Sequence, residues 1–241
     1  MNNIKSNYEP QNISDLVIAD SSVKTYLEDV VNDYPMENIL LLGTNGTGKS
    51  TIAKLLPGLV EKGSYNYKWL AGEENFDVKT ANKILSNVIG FSNLSNNKYF
   101  YVMFDELDKV KTKLASFWQM VDTWPSKIIL IATANEYMYI DKPMRSRFKV
   151  LNFPAVKAID FLPRAMQILN NEKVSLTSQY VLGELKLVES FGDIRKYLNV
   201  VSDIHRNYIN GRITPYSPIQ NVQRRPGIKL PVSRHLTSVK S

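Results

Sequence analysis

The chain has 241 residues, 44% of them hydrophobic, and carries 30 lysines and arginines against 23 aspartates and glutamates. This composition is sufficient for a buried core, so a wholly disordered chain is excluded. The absence of cysteine excludes disulfides, thiolate metal sites and cysteine nucleophiles.

Short apolar runs alternate with helix-length segments in the first part of the chain, a pattern typical of a parallel sheet covered by helices on both faces. Apolar runs and β-propensity predict five strands, and apolar spacing of three to four residues predicts helices between them. The predicted strands are 38–42, 67–70, 99–104, 128–133 and 149–153, and the predicted helices are 78–89 and 114–121.

The strand pattern ends at Pro154, and the segments that follow have helical spacing. We therefore predict an α/β domain over residues 1–153, a small all-α domain over 154–210 and a tail over 211–241. The predicted helices of the second domain are 159–169, 177–187 and 192–209.

The positive net charge belongs to the C-terminal end. Residues 206–241 contain seven basic residues and no acidic one, and the other 23 basic residues equal the 23 acidic ones. Prolines interrupt this end, so we predict a flexible basic tail. Two interpretations stay open: a solubilising terminus, or a segment that contacts nucleic acid phosphates or docks on a partner.

Membrane and secretory classes are disfavoured. No apolar run reaches the roughly 18 residues of a membrane span. Residues 1–10 lack the basic start and apolar core of a secretory signal. We expect a cytoplasmic protein without a membrane partner.

The segment GTNGTGKS, residues 43–50, fits the phosphate-loop pattern. It follows a predicted strand and opens a predicted helix, where glycine lets the backbone turn its N–H groups inward and the helix N-terminus attracts anions. Lys49 is placed to reach the β- and γ-phosphates of a nucleotide, and the Ser50 hydroxyl to ligate Mg²⁺. The predicted nucleotide-binding residues here are Gly43, Thr44, Asn45, Gly46, Thr47, Gly48, Lys49, Ser50 and Thr51.

Two carboxylates follow the strand predicted at 99–104. Ligands of open α/β sheets bind beyond the carboxyl ends of the strands, so we expect Asp105 to join the Mg²⁺ site and Glu106 to polarise an attacking water. Asp108 and Lys109 are expected to be exposed loop residues.

Four further polar residues are candidates for contact with phosphate. Asn135 follows the strand at 128–133 and is placed to hydrogen-bond the γ-phosphate or the attacking water, with Thr133 as a second candidate. Arg147 either forms a surface ion pair or reaches a nucleotide bound by a neighbouring subunit. Arg195 lies in the first turn of a predicted helix, which disfavours a cation and suggests a partner such as phosphate.

Taken together, these stretches resemble the AAA+ ATPases, and within them the small subunits of sliding-clamp loaders, over roughly residues 8–210. GTNGTGKS is similar to the Walker A motif, VMFDELD to Walker B and IATAN to the sensor 1 strand, which gives that role to Asn135. The resemblance implies a P-loop NTPase fold with a five-stranded parallel sheet and an all-α lid, with ATP and Mg²⁺ as cofactors.

Two later motifs narrow the resemblance. MRSRF resembles the clamp-loader motif that carries the arginine finger, which gives this role to Arg147, although Phe148 stands where that motif has cysteine. GDIRKYLN is similar to sensor 2, which implies that Arg195 contacts the γ-phosphate.

The N-terminal segment carries a further resemblance. YEPQNISDLV resembles the family segment that leads into the adenine pocket, so Tyr8, Pro10 and Val17 are expected adenine neighbours. Glu9 replaces an arginine of that segment, which is a departure from the pattern.

The resemblance implies an ATPase of DNA replication that assembles with itself or with homologous subunits in a ring or spiral around DNA, with a sliding clamp or another replication protein as partner. Only residues 211–241 follow the predicted lid, too few for the collar domain of clamp loaders, so we expect the ATPase and lid domains to carry the assembly. The tyrosine- and asparagine-rich composition suggests a phage or mobile-element source. The alternatives are a helicase loader, a transposition regulator, or a nucleotide-bound scaffold subunit with little turnover.

Overall fold

A computed structural model of the chain describes residues 4–71, 78–92, 96–109, 119, 121–140 and 142–214. Most of the helix predicted at 114–121, and the predicted tail beyond residue 214, lie outside the described residues. Among the helices in the described ranges, none is long and apolar enough to cross a membrane.

Five parallel strands form one sheet in the order β2-β3-β4-β1-β5. This confirms the predicted five-stranded parallel sheet, and the observed strand bounds differ from the predicted ones by one residue at most. Strand β1 begins one residue later than predicted, at Ile39. The residue before it, Asn38, uses its side chain to accept a hydrogen bond from the Leu130 amide. The strands are β1 (Ile39–Gly43), β2 (Asn66–Ala71), β3 (Phe100–Asp105), β4 (Ile128–Ala134) and β5 (Lys149–Phe153).

Helices cover both faces of the sheet. After the short helix α1 (Ile4–Asn7), helices α2 (Ser21–Val31) and α3 (Lys49–Val60) contribute to the core on one face, and α4 (Val78–Ser92) contributes to the core on the other. Strand β1 contributes side chains to the cores on both faces of the sheet. Ile39 and Leu41 are buried in the first core and Leu40 in the second. A strand buried on both faces requires apolar residues at every position, which explains its continuous apolar run.

A separate hydrophobic core holds the C-terminal helices together. The helices are α6 (Ala158–Asn171), α7 (Ser178–Lys186) and α8 (Ile194–Ile209), and they follow the short helix α5 (Lys142–Arg145). The Phe161 and Tyr197 rings stack with centroids 5.0 Å apart, and the Tyr197 hydroxyl donates to the Val156 carbonyl at 2.8 Å. Ile4 of the N-terminal segment is buried in this same core.

The domain boundary near Pro154 stays a prediction. The residues on its two sides belong to different hydrophobic cores. Phe153 belongs to the core of the sheet, and Val156 belongs to the core of the helical unit. Helix α8 begins two residues later than predicted because Gly192 has a left-handed φ of 57° and Asp193 caps the helix through the Arg195 amide.

The carboxylate of Glu61, at the end of α3, anchors the segment that leads into β3. One oxygen accepts from the Tyr99 amide at 3.0 Å and the Tyr101 hydroxyl at 2.8 Å; the other accepts from the Lys98 amide at 2.7 Å. Burial and the Glu61 carboxylate raise the pKa of Tyr101, so this hydroxyl remains a donor. Because β3 ends at Asp105, this anchor also helps to set the position of the predicted Walker B carboxylates.

We predict that Glu61→Gln destabilises the fold by about 1.5–3 kcal/mol, because an amide N–H₂ group would face donors where an oxygen accepts. The control is Glu28→Gln, whose carboxylate is exposed and lies 4.0 Å from Lys24; about 0–1 kcal/mol is expected there. Urea unfolding of both variants measures the difference. Equal shifts for the two would show that the Glu61 contacts contribute nothing specific.

Candidate functional site

The predicted phosphate loop connects β1 to α3, at the carboxyl edge of the sheet. Gly46 and Gly48 have φ values of 79° and 93°, a region that residues with a Cβ rarely adopt. A Cβ on Gly43 would lie 2.0 Å from the carbonyl oxygen of Phe153. The three glycines are therefore required by the path of the backbone.

The ammonium group of Lys49 lies inside this loop. Its Nζ donates to the carbonyl oxygens of Gly43 and Thr44, each at 2.7 Å, and to Asn135 Oδ1 at 3.1 Å. Burial lowers the pKa of Lys49, and the nearby carboxylates of Asp108, Asp105 and Glu106 oppose this effect. An anion at the loop would favour the charged form further.

Ser50 and Asp105 bring two hard oxygen donors together. The Ser50 hydroxyl donates to Asp105 Oδ1 at 3.0 Å, and the Thr133 hydroxyl donates to the same oxygen at 2.7 Å. Thr133 Oγ1 also accepts from the Glu106 amide at 2.9 Å. Thr133 is thus engaged with the turn after β3, whereas Asn135 faces Lys49. A hydroxyl and a carboxylate fit a Mg²⁺ ion, which takes few protein ligands and completes its shell with water and phosphate oxygens.

Glu106 begins the turn after β3 in a left-handed conformation, with φ at 55°. Its carboxylate accepts from the ammonium group of Lys109 at 2.6 Å, and both side chains are about half exposed.

Asp108 is not the exposed loop residue that we expected. Its Oδ2 atom accepts from the amides of Asn135 at 3.1 Å and Glu136 at 3.3 Å, and its Oδ1 atom is buried. Two adjacent backbone donors draw the carboxylate inward and tie the ends of β3 and β4 together. Asp108 therefore fixes the backbone that presents Asn135 to Lys49, a role that no sequence motif signalled.

The start of α8 lies against the phosphate loop. The Ile194 amide donates to the Gly46 carbonyl at 2.9 Å, and Arg195 lines one cavity with Gly46, Gly48 and Lys49. The Arg195 guanidinium pairs with the Asp193 carboxylate at 2.9 Å. Arg195 thus pairs with Asp193, which the sequence indicated only as a helix start, and its contact with phosphate stays a prediction.

The cavity beside the loop has a volume of about 230 Å³ and a largely apolar wall. Its lining includes the expected adenine neighbours Tyr8, Pro10 and Val17, together with Thr51 of α3. Three residues on helices also line the wall, and the sequence analysis did not identify them. Apolar residues on a helix have the same spacing whether they face a ligand or a core, so the sequence pattern does not distinguish the two. The three residues are Phe161, Arg164 and Leu198.

Arg147 lies at the opposite edge of the sheet. It precedes β5, whose first residue, Lys149, donates its amide to the Asn38 carbonyl just before β1. The length of a five-residue strand, about 16 Å, separates this edge from the phosphate loop. The Arg147 guanidinium donates to the Asp122 carboxylate, from Nε at 2.7 Å. This pairing holds the pKa of Asp122 below its ordinary value.

The chain is similar to known proteins in its sequence family and in its fold. Residues 39–154 match the family model described as ATPase family associated with various cellular activities (AAA). Among solved structures, a RuvB mutant of Thermotoga maritima matches with a TM-score of 0.66 and 13% identity over 86% of this chain and 68% of that one. The Thermotoga maritima RuvB Holliday junction branch migration motor matches with a TM-score of 0.62 and 14% identity, over 85% and 67%. No curated protein matches the chain.

We predict that Gly46→Ala weakens nucleotide binding by about tenfold or more. The added Cβ would lie 2.1 Å from the Asp193 carboxylate and would strain a residue with positive φ. Isothermal titration with ATP measures the loss. Gly183→Ala in α7 is the matched control, because its Cβ would meet nothing within 4 Å, and we expect it to bind ATP like the wild type. ATP binding that is also unchanged in Gly46→Ala would contradict the assignment of the loop.

Proposed function

We propose that the chain, whose residues 39–154 match the AAA ATPase family model, binds ATP with Mg²⁺, hydrolyses it, and works as an oligomer on DNA. The observation that carries the proposal is that four side chains converge at one sheet edge: Lys49, Asn135, Ser50 and Asp105. Arg195 of the helical unit lines the cavity that Lys49 and Ser50 also line.

Each of these groups has a defined chemical task in the proposal. Lys49 binds the β- and γ-phosphates, and Asn135 and Arg195 contact the γ-phosphate. Ser50 and Asp105 would hold Mg²⁺, which neutralises charge on the phosphate oxygens. The apolar wall with Tyr8, Pro10 and Val17 receives the adenine, and the loop amides of residues 43–50 surround the phosphates.

Glu106 is the proposed residue that orients and polarises the attacking water. Its carboxylate lies at the end of β3, next to Asp105. The pair with Lys109 is exposed and therefore weak, so exchange of Lys109 for a water molecule costs little.

Arg147 is proposed to act on the nucleotide of a neighbouring subunit. Its position about one strand length from the phosphate loop of its own chain supports this role. A guanidinium supplied in trans stabilises charge on the transferring phosphate. On this proposal the active site is complete only between two subunits, in a ring or spiral of this chain or of homologous chains.

A clamp-loader-like role in DNA replication, with a sliding clamp or another replication protein as partner, is the finer part of the proposal. It rests on the MRSRF and GDIRKYLN motifs around Arg147 and Arg195 and on the predicted basic tail over 211–241. The second candidate is a DNA motor, which the fold shared with the RuvB branch migration motor supports. A helicase loader, a transposition regulator and a nucleotide-bound scaffold with little turnover complete the set of candidate functions.

Glu106→Gln should retain ATP binding and lower the hydrolysis rate by about 10²- to 10⁴-fold, because the amide cannot polarise water. Lys49→Ala should weaken ATP binding itself. Steady-state phosphate release and titration with ATP measure the two effects, with Glu136→Gln, an exposed glutamate at the same sheet edge, as the control.

Wild-type hydrolysis in the Glu106→Gln protein would remove Glu106 from the reaction. The same assay is repeated with duplex DNA. Stimulation of hydrolysis supports an action on DNA, whereas an unchanged rate together with no DNA binding would favour the scaffold.

Mixing Arg147→Ala subunits with Glu106→Gln subunits should restore part of the activity that each variant lacks alone. A mixed interface joins an intact Glu106 on one subunit to an intact Arg147 on its neighbour, and a trans arginine contributes about 10³- to 10⁵-fold in comparable NTPases. ATP hydrolysis of the mixture, with co-assembly verified by size-exclusion chromatography, measures the recovery. Full hydrolysis by a dilute monomer would contradict the trans role.

A further inference from the structure

The Asp193 carboxylate lies between the phosphate loop and Arg195. Its oxygens accept from Arg195 Nε at 3.1 and 3.2 Å and from the terminal guanidinium nitrogen at 2.9 Å. The Asp193 side chain is 13% exposed and that of Arg195 is 69% exposed. The carboxylate is therefore held in place, whereas the guanidinium extends into solvent and has room to move.

The same carboxylate is packed against the phosphate loop. A Cβ on Gly46 would lie 2.1 Å from both its Cγ and Oδ1 atoms, and the adjacent Ile194 amide donates to the Gly46 carbonyl at 2.9 Å. The structure thus fixes the Asp193 carboxylate beside the loop that is shaped to receive phosphates, where it holds the guanidinium of Arg195.

We propose that Asp193 is a specificity-determining residue whose carboxylate competes with the γ-phosphate for Arg195, so that it selectively weakens the binding of ATP and limits the preference of the site for ATP over ADP. The inference rests on the proposed function, since it requires that nucleotide phosphates bind at residues 43–50. A nucleoside triphosphate supplies a second anion that draws Arg195 away from Asp193. A diphosphate lacks the phosphate that Arg195 reaches, so the Asp193–Arg195 pair persists beside it.

Both members of the pair are charged at neutral pH. Burial would raise the pKa of Asp193, but its hydrogen bonds with the Arg195 side chain and amide hold that pKa below the ordinary value. The exposed position of Arg195 keeps the pair weak, because solvent screens its attraction. A phosphate group with more charge than a carboxylate is therefore able to displace Asp193 as the partner of Arg195.

The role as a helix cap is separable from this competition. Asp193 accepts from the Arg195 amide at 2.8 Å at the start of α8, and asparagine and serine cap helices about as well as aspartate. Asp193→Asn keeps the cap and nearly the same shape at Gly46 but removes the charge. Asp193→Ser keeps the cap with a smaller side chain.

The experiment measures Kd for ATP and for ADP, with Mg²⁺, in the full chain and its variants by isothermal titration. Asp193→Asn and Asp193→Ser should tighten ATP binding by about 3- to 10-fold and change ADP binding by less than about 2-fold. The matched control is Asp203→Asn, which removes the same charge from an exposed aspartate–arginine pair on α8 that does not line the cavity; no change is expected there.

The Arg195→Ala background decides the mechanism. If Asp193 competes for Arg195, adding Asp193→Asn to Arg195→Ala yields no further preference for ATP. Three results would each overturn the inference. The first is that Asp193→Asn tightens the binding of ATP and ADP equally, and the second is that it weakens ATP binding. The third is that the gain in ATP binding is still present in the Arg195→Ala background. The proposed function itself would instead be overturned if the wild-type chain did not bind ATP, or if Lys49→Ala left ATP binding unchanged.

Discussion

The ammonium group of Lys49 is largely withdrawn from solvent, and a buried cation is tolerated only where acceptors surround it. Two loop carbonyls and Asn135 meet this demand. To supply the carbonyls the backbone must turn sharply after β1, which requires the glycines of the loop. To supply Asn135, β4 must end beside β1, which the strand order provides. Asp108 then holds the Asn135 backbone in place.

The charged groups to which the proposed reaction gives a role share one feature. Glu106, Arg147 and Arg195 each pair with an oppositely charged neighbour, respectively Lys109, Asp122 and Asp193, and at least one member of every pair is substantially exposed. Pairs of this kind contribute little to stability because water and salt screen them. The arrangement keeps each charged group in a defined place while leaving it available to a stronger partner. The contacts of Lys49 and Asp105, in contrast, are partly buried and therefore less screened.

The wall of the cavity depends on contacts between the N-terminal segment and helix α6. Arg164 on α6 donates to the Tyr8 carbonyl and pairs with Asp15 at 2.9 Å, with both side chains mostly buried. Burial would raise the pKa of Asp15, but the amides of Gln11 and Asn12 and the charge of Arg164 hold it below the ordinary value. The N-terminal segment is thereby fastened to the helical unit, so that Pro10 and Val17 line one cavity together with Phe161.

The sequence alone determined the five strands, their parallel arrangement and the phosphate loop, because apolar runs and glycine positions act through neighbouring residues. It also indicated Asp105 and Asn135, since the carboxyl ends of parallel strands meet at one edge. Only the tertiary structure decided which partner each charged group takes. Asp108 reaches an amide 27 residues away and Arg164 a carboxylate 149 residues away. Such pairs leave no periodic signal, because an ion pair depends on distance in space and not on spacing along the chain.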